Sequence, residues 1–307
     1  MQATKHILLV KPSNFAFNSE TAGSNAFQNN TNENSESINK NVSKEFDAFA
    51  NTLKSKGVNV TIVADTAQPP KPDAVFPNNW ISFHEDGTVV LYPMFAPNRR
   101  LERRYDIIDS LKESFIVSTI IDFTQYETKD RFLEGTGSIV FDHENKIAYA
   151  CISPRTDKLL FTDLCGYLHY TPICFSAYDK TKKQIYHTNV MMCIAEKFAV
   201  VCLESITDKK EKELVLNSLK ASKHEVIEIT IDQMNNFAGN MLALQNNDDK
   251  NMLVLSQSAY DSLNASQKIL IEKYCQLVPL GIKTIETIGG GSARCMIAEV
   301  FLPLIFE

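Results

Sequence analysis

Three residues of this 307-residue chain have the types from which an activated cysteine nucleophile is built. Cys295 follows the glycine triplet Gly289–Gly291, His187 lies in the stretch YHTN, and Glu134 lies in LEGTG. They predict covalent catalysis by Cys295, with His187 as general acid and base and Glu134 as its partner. Arg294 adjoins the cysteine and is expected to favour its thiolate. The alternative is that Cys295 is a buried strand cysteine and that His187 is structural.

Each of these residues stands near the start of a similar segment, in which an apolar strand, a polar turn and a second apolar strand follow one another. The turns recur roughly 52 to 58 residues apart, centred on Asp86, Glu144, Glu196 and Asp248. A degenerate fifth copy begins near Arg294. A regular period of this size is typical of propellers and other repeat architectures. An ordinary α/β protein would instead show hairpins at irregular intervals.

Helices are predicted between the hairpins from apolar residues spaced on a charged background. One covers 42–56 and ends before Gly57, which stands where glycine often terminates a helix. The others cover 99–115, 207–222 and 262–277. Residues 29–42 are polar and poor in bulky apolar groups, which indicates a flexible loop, either a lid or a plain surface insertion. We expect the whole chain, 1–307, to form one closed α/β domain.

The overall composition argues against several classes of function. The formal net charge is −6, so no global field attracts nucleic acid or an anionic membrane. The sequence shows no signal-peptide segment and no apolar stretch near the ~20 residues of a membrane span. Seven cysteines, without C-x-x-C spacing, argue against a disulfide framework and a zinc site. We therefore expect a cytoplasmic protein.

The segment PDAVFPNNW precedes the first predicted hairpin and could bind a substrate. It contains Asp73 and the neighbouring amides Asn78 and Asn79, and two prolines stiffen it. These side chains could hold a planar polar group by hydrogen bonds. The alternative is a proline-shaped loop in which Asp73 caps a turn.

Three arginines are candidates for binding an anionic group, because arginine binds carboxylates bidentately. Arg99 and Arg100 lie in APNRRLERR, and Arg155 lies in SPRTD. Four histidines other than His187 lie near predicted strand or turn ends and are expected to be solvated. These are His6, His84, His143 and His224.

The motifs taken together resemble the pentein superfamily, the guanidine-modifying enzymes that include arginine deiminase, dimethylarginine dimethylaminohydrolase and the amidinotransferases. The resemblance is closest to the amidinotransferase-like branch of citrulline-utilisation hydrolases. It covers essentially the whole chain. It is carried by FAFNSETAGSNAFQ, PDAVFPNNWISF, RRLERR, LEGTGS, SPRTD, YHTN, FAGN and GGGSARC. The resemblance implies a five-fold pseudosymmetric α/β propeller with the active site in its central channel.

The resemblance also implies catalytic roles. Cys295 would attack the guanidino or ureido carbon of an arginine-like amino acid and form a covalent thio-intermediate. His187 would protonate the leaving amine and then activate water for the second step. Glu134 would orient His187 and hydrogen-bond the planar head group of the substrate.

Binding roles follow from the same resemblance. Asp73 would bind the head group or fix its loop, and Arg155 with Arg99 or Arg100 would hold the α-carboxylate. No metal and no organic cofactor are implied. The expected partner is a small amino acid, and a homodimer is left open.

Two departures from the family pattern bear on the substrate. Dimethylarginine hydrolases typically carry an acidic pair where this chain has Asn78 and Asn79, and amides suit a neutral group better than a cation. We therefore expect citrulline, giving ornithine, to be preferred over arginine. His187 is followed by Thr188 and Asn189 rather than by the Leu-Asp of arginine deiminases. An amidinotransferase, a dimethylarginine or arginine hydrolase, and an inactive ligand-binding protein stay open as further possibilities.

Overall fold

A computed structural model describes residues 1–306 of the chain as a succession of short strands and helices. The strands are β1 (His6–Lys11), β2 (Asn59–Ala64), β3 (Ile81–Phe83), β4 (Thr88–Leu91), β5 (Thr119–Asp122), β6 (Val140–Asp142), β7 (Ile147–Cys151), β8 (Thr171–Phe175), β9 (Met192–Ile194), β10 (Phe198–Val201), β11 (Glu225–Glu228), β12 (Leu242–Gln245), β13 (Asn251–Ser256), β14 (Gln276–Leu280) and β15 (Ala298–Glu299).

Helical segments lie between the strands. The α-helices are α1 (Ser19–Ala22), α2 (Ser35–Ser55), α3 (Tyr105–Leu111), α4 (Gly135–Ser138), α5 (Lys158–Leu168), α6 (Lys209–Ala221), α7 (Ile231–Asn235), α8 (Gln257–Ser262), α9 (Ala265–Glu272) and α10 (Lys283–Gly289). The 3₁₀ helices are Pro77–Asn79, Pro97–Glu102, Thr124–Lys129, Thr188–Val190 and Leu203–Ser205.

The strands pair into five sheets of three strands each. In every sheet two strands are antiparallel and the third runs parallel to the middle strand, so a helical crossover joins the parallel pair. The fifth sheet joins the two ends of the chain, because Leu8 of β1 pairs antiparallel with Ala298 of β15 and parallel with Thr61 of β2. The degenerate fifth copy is therefore completed by the first strands of the chain.

Five short lead-in segments, one before the first strand of each unit, pack against one another. They are residues 77–80, 135–139, 188–191, 238–241 and 292–297. Glycine permits two of these contacts, since a Cβ atom at Gly135 would collide with the backbone oxygen of Asn78, and one at Gly239 with that of Val190. The repeat thus brings equivalent positions of different units together.

The prediction of a loop over 29–42 is wrong for its second half, where residues 35–42 form the first two turns of α2. The Asn34 side chain caps this helix by accepting from the Ser37 N–H. Ile38, Val42 and Phe46 then form a narrow buried stripe at helical spacing. The polar residues between them face away from the core. The predicted end of the helix is confirmed, since Gly57 follows it with φ +85°.

Two other predicted helices are only partly formed, whereas the one over 207–222 is confirmed as α6. In the range 99–115 a 3₁₀ turn ends at Glu102 before α3 begins. In the range 262–277, Asn264 caps α9, and Gln276 already belongs to β14, which pairs with β13. Tertiary strand pairing overrides the local helical pattern there.

The expectation that four histidines are solvated is wrong for three of them, because His84, His143 and His224 are buried. They lie where sheets of adjacent units meet. Apolar side chains of strands and helices otherwise fill these spaces, as where Phe46 and Phe49 of α2 pack with the core residues Ile7 and Val254. Among residues 1–306, no helix combines the length and the apolar character that crossing a membrane requires.

Candidate active site

A small buried cavity lies where the lead-in segments meet, and two of the three predicted catalytic residues line it. Cys295 and His187 lie in its wall, together with Asp73, Asn79 and Arg155. Its volume is about 10 Å³, which accommodates about one water molecule. The third residue, Glu134, lies behind His187 and is fully buried.

Glu134 holds His187 in place. Oε2 of Glu134 lies 2.8 Å from Nε2 of His187, and Oε1 accepts the backbone N–H of Phe95 at 2.9 Å. Nη1 of Arg155 lies 3.5 Å from the same Oε2. Burial alone would raise the pKa of Glu134, but the charge of Arg155 and the hydrogen bond from His187 hold that pKa well below its usual range. The carboxylate is therefore ionised.

His187 is neutral at physiological pH. Burial lowers the pKa of its imidazole to about 4. The hydrogen bond and charge of Glu134 act in the opposite direction, whereas the charges of Arg155 and Arg99 add to the effect of burial. A neutral ring beside a carboxylate donates from the nitrogen that faces it, so Nε2 carries the proton. The lone pair is then on Nδ1, which borders Gly137. This tautomer suits a general base.

The thiol of Cys295 is contacted by two amide side chains that the sequence analysis did not assign. Nδ2 of Asn240 lies 3.2 Å from Sγ, and Nδ2 of Asn189 lies 3.5 Å from it. Both belong to motifs noted in the sequence, FAGN and YHTN. Like Cys295, they lie within three residues of the first strand of their unit, and this place in the repeat is the signal that could have identified them.

The glycine triplet brings the main chain close to the cavity, while Arg294 points away from it. Gly290 has φ +64°, and a Cβ atom there would lie 2.6 Å from Nδ2 of Asn25. The guanidinium of Arg294 lies 2.8 Å from Oε2 of Glu299, and its side chain does not line the cavity. The predicted effect of Arg294 on the thiol is therefore not supported by its position.

Asp73 presents one carboxylate oxygen without a partner. Its Oδ2 accepts from Nδ2 of Asn18 at 2.7 Å and lies 3.7 Å from Nε of Arg99. Its Oδ1 is buried and makes no hydrogen bond within residues 1–306. Burial raises the pKa of Asp73 although Arg99 and Asn18 act in the opposite direction. A ligand N–H would satisfy this oxygen.

Arg99 fixes the orientation of Asn79. Nη1 of Arg99 donates to Oδ1 of Asn79 at 2.8 Å, while Nε and Nη2 donate to the carboxylate of Glu102 at 2.9 Å each. Nη2 also reaches the backbone oxygen of Phe76 at 3.4 Å. The N–H donors of Arg99, which was predicted to bind an α-carboxylate, are therefore hydrogen-bonded to other groups of the protein. Nδ2 of Asn79 is buried and, in the described part of the chain, has no partner.

The remaining predicted residues differ in their positions. Arg155 lies in the cavity wall, with its guanidinium 4.8 Å from the centre of the Tyr186 ring. Arg100 lies outside, where it donates to the backbone oxygen of Met94 at 3.1 Å and pairs with Glu127. Asn78 is buried but does not line the cavity. The structure therefore does not bring Arg100 and Asn78 into the wall.

Residues 18–25 cover the cavity, rather than the predicted loop 29–42. Asn18 binds Asp73 as described, and Thr21 and Asn25 line the cavity. Oγ of Ser24 accepts from Nη2 of Arg155 at 2.6 Å. This segment therefore occupies hydrogen-bonding groups of Asp73 and Arg155.

Comparisons with known proteins identify the family and the fold. The family model described as N,N dimethylarginine dimethylhydrolase, eukaryotic, matches residues 11–302. A search of curated protein sequences gives no match.

Several solved structures share the fold. The N-terminal domain of ArgZ bound to substrate, an arginine dihydrolase from the ornithine-ammonia cycle in cyanobacteria, is 18% identical, with a TM-score of 0.74 over 97% of this chain and 98% of that domain. Apo ArgZ is 17% identical with a TM-score of 0.75, and this chain spans 98% of its own length but only 41% of that protein. A DDAH from Pseudomonas aeruginosa complexed with citrulline is 12% identical, with a TM-score of 0.67 over 97% of this chain and 99% of that one.

The five three-stranded sheets and these structural similarities confirm the predicted pentein-type α/β propeller. The predicted enzyme class, a hydrolase acting on carbon–nitrogen bonds other than peptide bonds, is confirmed as well. Because the family model matches all but short stretches at the two ends, the chain belongs to the N,N dimethylarginine dimethylhydrolase family of the pentein superfamily.

Proposed function

We propose that this protein hydrolyses an arginine-like amino acid at the carbon of its terminal planar group, and that it prefers the neutral ureido group of citrulline over a guanidinium. The observation that carries the preference is the orientation of Asn79. Arg99 can only donate hydrogen bonds, so it holds Oδ1 of Asn79 and leaves Nδ2 as a donor in the cavity wall.

A ureido group matches the two unpartnered atoms of the wall better than a guanidinium does. Its oxygen would accept from Nδ2 of Asn79, and its terminal NH₂ would donate to Oδ1 of Asp73. A guanidinium has only donors, so it would leave the Asn79 donor facing another donor. An unpaired buried donor costs about 1–3 kcal/mol, which is enough to bias selection between the two head groups.

The reaction then proceeds in two steps that use the residues in the wall. The proton of the Cys295 thiol moves to Nδ1 of His187, and the sulfur attacks the ureido carbon. The bond from this carbon to the side-chain nitrogen then breaks, and His187 gives the proton to that nitrogen, which yields ornithine. An S-carbamoyl cysteine remains. Water attacks its carbon while Nδ1 of His187 accepts a proton, and the carbon–sulfur bond breaks to release carbamic acid, which decomposes to ammonia and carbon dioxide. Nδ2 of Asn79 donates to the oxygen that becomes negative in each step.

Arg155 is the proposed partner of the α-carboxylate. Its guanidinium donates to Ser24 and to the backbone oxygen of Thr21, both in the covering segment. A cavity of about 10 Å³ cannot hold an amino acid. Binding therefore requires the segment 18–25 to separate from Arg155 and Asp73, after which a carboxylate can replace its contacts.

The similar solved structures support an arginine-like amino acid as the ligand, but they do not favour citrulline over arginine. ArgZ is described as an arginine dihydrolase. AgrE has been solved with L-arginine and with ornithine. A cysteine-to-serine mutant of Pseudomonas aeruginosa DDAH has been solved with citrulline. A guanidino substrate, dimethylarginine or arginine, is the second candidate. Two observations favour it, the family match and the unpartnered Asp73 oxygen, which would accept from a guanidinium.

A substrate panel tests the preference. Citrulline, arginine, asymmetric dimethylarginine and agmatine are compared by kcat/KM, with the amino-acid products ornithine and citrulline and the released ammonia and dimethylamine all measured. We expect citrulline to give the largest value. A larger value for arginine or dimethylarginine would overturn the preference and establish the second candidate.

Further measurements separate hydrolysis from group transfer and from binding without turnover. Cys295→Ala is expected to lower kcat by about 10⁴-fold or more while leaving the melting temperature within a few degrees. Addition of an amine acceptor distinguishes an amidinotransferase, which would form a new amidino product instead of ammonia. An inactive ligand-binding protein would turn over none of the panel and would not be labelled by a thiol-directed haloamidine.

A further inference from the structure

Two amide side chains contact the sulfur of Cys295. The Nδ2 atoms of Asn240 and Asn189 lie 3.2 Å and 3.5 Å from Sγ. Both residues are buried, at 1% exposure each, so no solvent competes for these contacts. Cys295 itself is 4% exposed. Oδ1 of Asn189 also lies 3.9 Å from Sγ and can accept from the neutral thiol, so Asn189 donates to the sulfur once the thiol has lost its proton. A buried sulfur between two amides is unlike a cysteine that merely fills an apolar core.

The orientation of Asn240 is set by the main chain. Its Oδ1 accepts the backbone N–H of Arg294 at 3.1 Å, which only an oxygen can do. Its Nδ2 therefore faces both the sulfur and the backbone oxygen of Asn189, at 2.9 Å. If the amide were flipped, its NH₂ would face the backbone N–H of Arg294, and its oxygen would face the backbone oxygen of Asn189. Asn240 consequently presents an N–H to Sγ rather than an oxygen.

The repeat explains why this amide reaches the sulfur. Asn240, Asn189 and Cys295 belong to the lead-in segments of three adjacent units. Gly239 lets the segment of Asn240 pack onto the segment of Asn189, because a Cβ atom at Gly239 would lie 2.7 Å from the backbone carbon of Met191. This packing places Asn240 beside the lead-in segment 292–297, where it contacts Arg294 and Cys295. The amides of two neighbouring lead-in segments thus contact the same sulfur.

We propose that Asn240 is a further catalytic residue, which donates to Sγ of Cys295 with Asn189 as second donor and stabilises the sulfur in its anionic form. This inference rests on the proposed function, in which Sγ is the nucleophile. The sulfur is anionic when it attacks the substrate and again when the S-carbamoyl bond breaks. Hydrogen bonds to an anion are stronger than those to a neutral thiol, so both donors favour the anion.

Other charged or titratable groups also face this sulfur and must be held constant in a test. The cavity wall that contains Cys295 also contains Asp73, Arg99, Arg155, Tyr186 and His187. None of them contacts Asn240 in the hydrogen bonds that fix its amide. Replacement of Asn240 therefore changes the donors to the sulfur and leaves the charges around it in place.

The test is a titration of the thiolate by its ultraviolet absorbance, with no substrate and no reagent that must enter the closed cavity. The spectrum of each protein is measured against pH, and that of the same protein carrying Cys295→Ala is subtracted. For Asn240→Ala we expect the midpoint to move upward by about one pH unit, a tenfold change in the ionised fraction. Asn189→Ala should move it in the same direction by less, because its contact is longer.

Asn39→Ala is the matched control. Asn39 also accepts a backbone N–H and donates to a backbone oxygen, both of Phe15, but it does not contact the sulfur. Its midpoint should equal that of the unmodified protein. If Asn240→Ala does not fold, Asn189→Ala decides by itself. An unchanged or lower midpoint in the folded variants would overturn the inference, whichever substrate the panel above favours.

Discussion

The carboxylate of Glu134 lies 2.8 Å from Nε2 of His187, and this contact decides which ring nitrogen can accept a proton. Because the carboxylate is ionised and the imidazole neutral, Nε2 donates and Nδ1 keeps its lone pair. Arg155, near the same carboxylate oxygen, favours its ionised state. The tautomer of His187 is therefore a consequence of one buried ion pair and one hydrogen bond.

Replacing Glu134 by glutamine should disable this tautomer. The new amide can still accept the Phe95 N–H with its oxygen, but its NH₂ then faces Nε2, which must give up its proton to Nδ1. We expect kcat to fall by roughly 10²- to 10⁴-fold, as for loss of the orienting carboxylate in other triads. Steady-state rates of Glu134→Gln, with a thermal melt to confirm folding, provide the measurement.

Glu127→Gln is the control for this change. Glu127 accepts the backbone N–H of Met94 at 2.8 Å and pairs with Arg103, so it resembles Glu134 in its partners but lies away from His187. It should retain most of the activity. Equal activities of the two variants would show that the carboxylate does not orient the base.

The repeat and the grouping of Cys295, His187 and Glu134 could be predicted from the sequence, because both depend on local patterns. Apolar runs around polar turns identify the hairpins, and unusual neighbours single out Cys295. The contacts of Arg99 and Asn240 could not be predicted, because they depend on partners distant in sequence or on the direction of an amide. The sequence predicts that Arg99 binds the substrate, whereas in the structure its guanidinium binds Glu102 and Asn79.

The burial of the polar side chains of His84, His143 and His224 could not be predicted from the sequence either. His84 lies beside a turn, where solvent exposure is the usual expectation, but the sheet of a neighbouring unit covers it. The aromatic contact of His84 requires that unit, since its ring meets the ring of Phe141 edge to face with the centroids 5.8 Å apart. The first turns of α2 were not predicted for a related reason. Their apolar stripe consists only of Ile38 and Val42, and it can be recognised as helical only from the core that it contacts.

Gly137 gives a second prediction, which concerns space rather than charge. A Cβ atom there would collide with Nδ2 of Asn79 and lie 2.7 Å from Nδ1 of His187. Gly137→Ala should therefore displace the base and the head-group donor together, and we expect kcat/KM to fall by about 10²-fold or more. Gly166→Ala is the control, since nothing lies within 4 Å of its Cβ position. That variant should keep its activity and gain up to about 1 kcal/mol of stability from helix propensity.

Buried histidines predict how stability depends on pH. Burial lowers the pKa of His84 from 6.5 to about 4, so between these values the unfolded chain binds a proton that the folded chain does not. The free energy of unfolding should therefore decrease as pH falls through this window, by about 1.4 kcal/mol per pH unit for this residue. Urea unfolding at several pH values, compared between the unmodified protein and His84→Gln, isolates its share. Equal slopes for the two proteins would contradict the prediction.

Asn79 gives the final prediction, because its amide is the basis of the proposed preference. Asn79→Asp keeps the oxygen that Arg99 binds and replaces the Nδ2 donor with a second oxygen. The new carboxylate can accept from a guanidinium but cannot donate to a ureido oxygen. We expect the ratio of kcat/KM for citrulline to that for arginine to fall at least about tenfold, the equivalent of 1.4 kcal/mol. Asn78→Ala, at the neighbouring amide outside the cavity wall, should leave this ratio unchanged even if it lowers stability. A ratio that moves equally in both variants would mean that the amide pair acts on the fold of its loop and not on the head group.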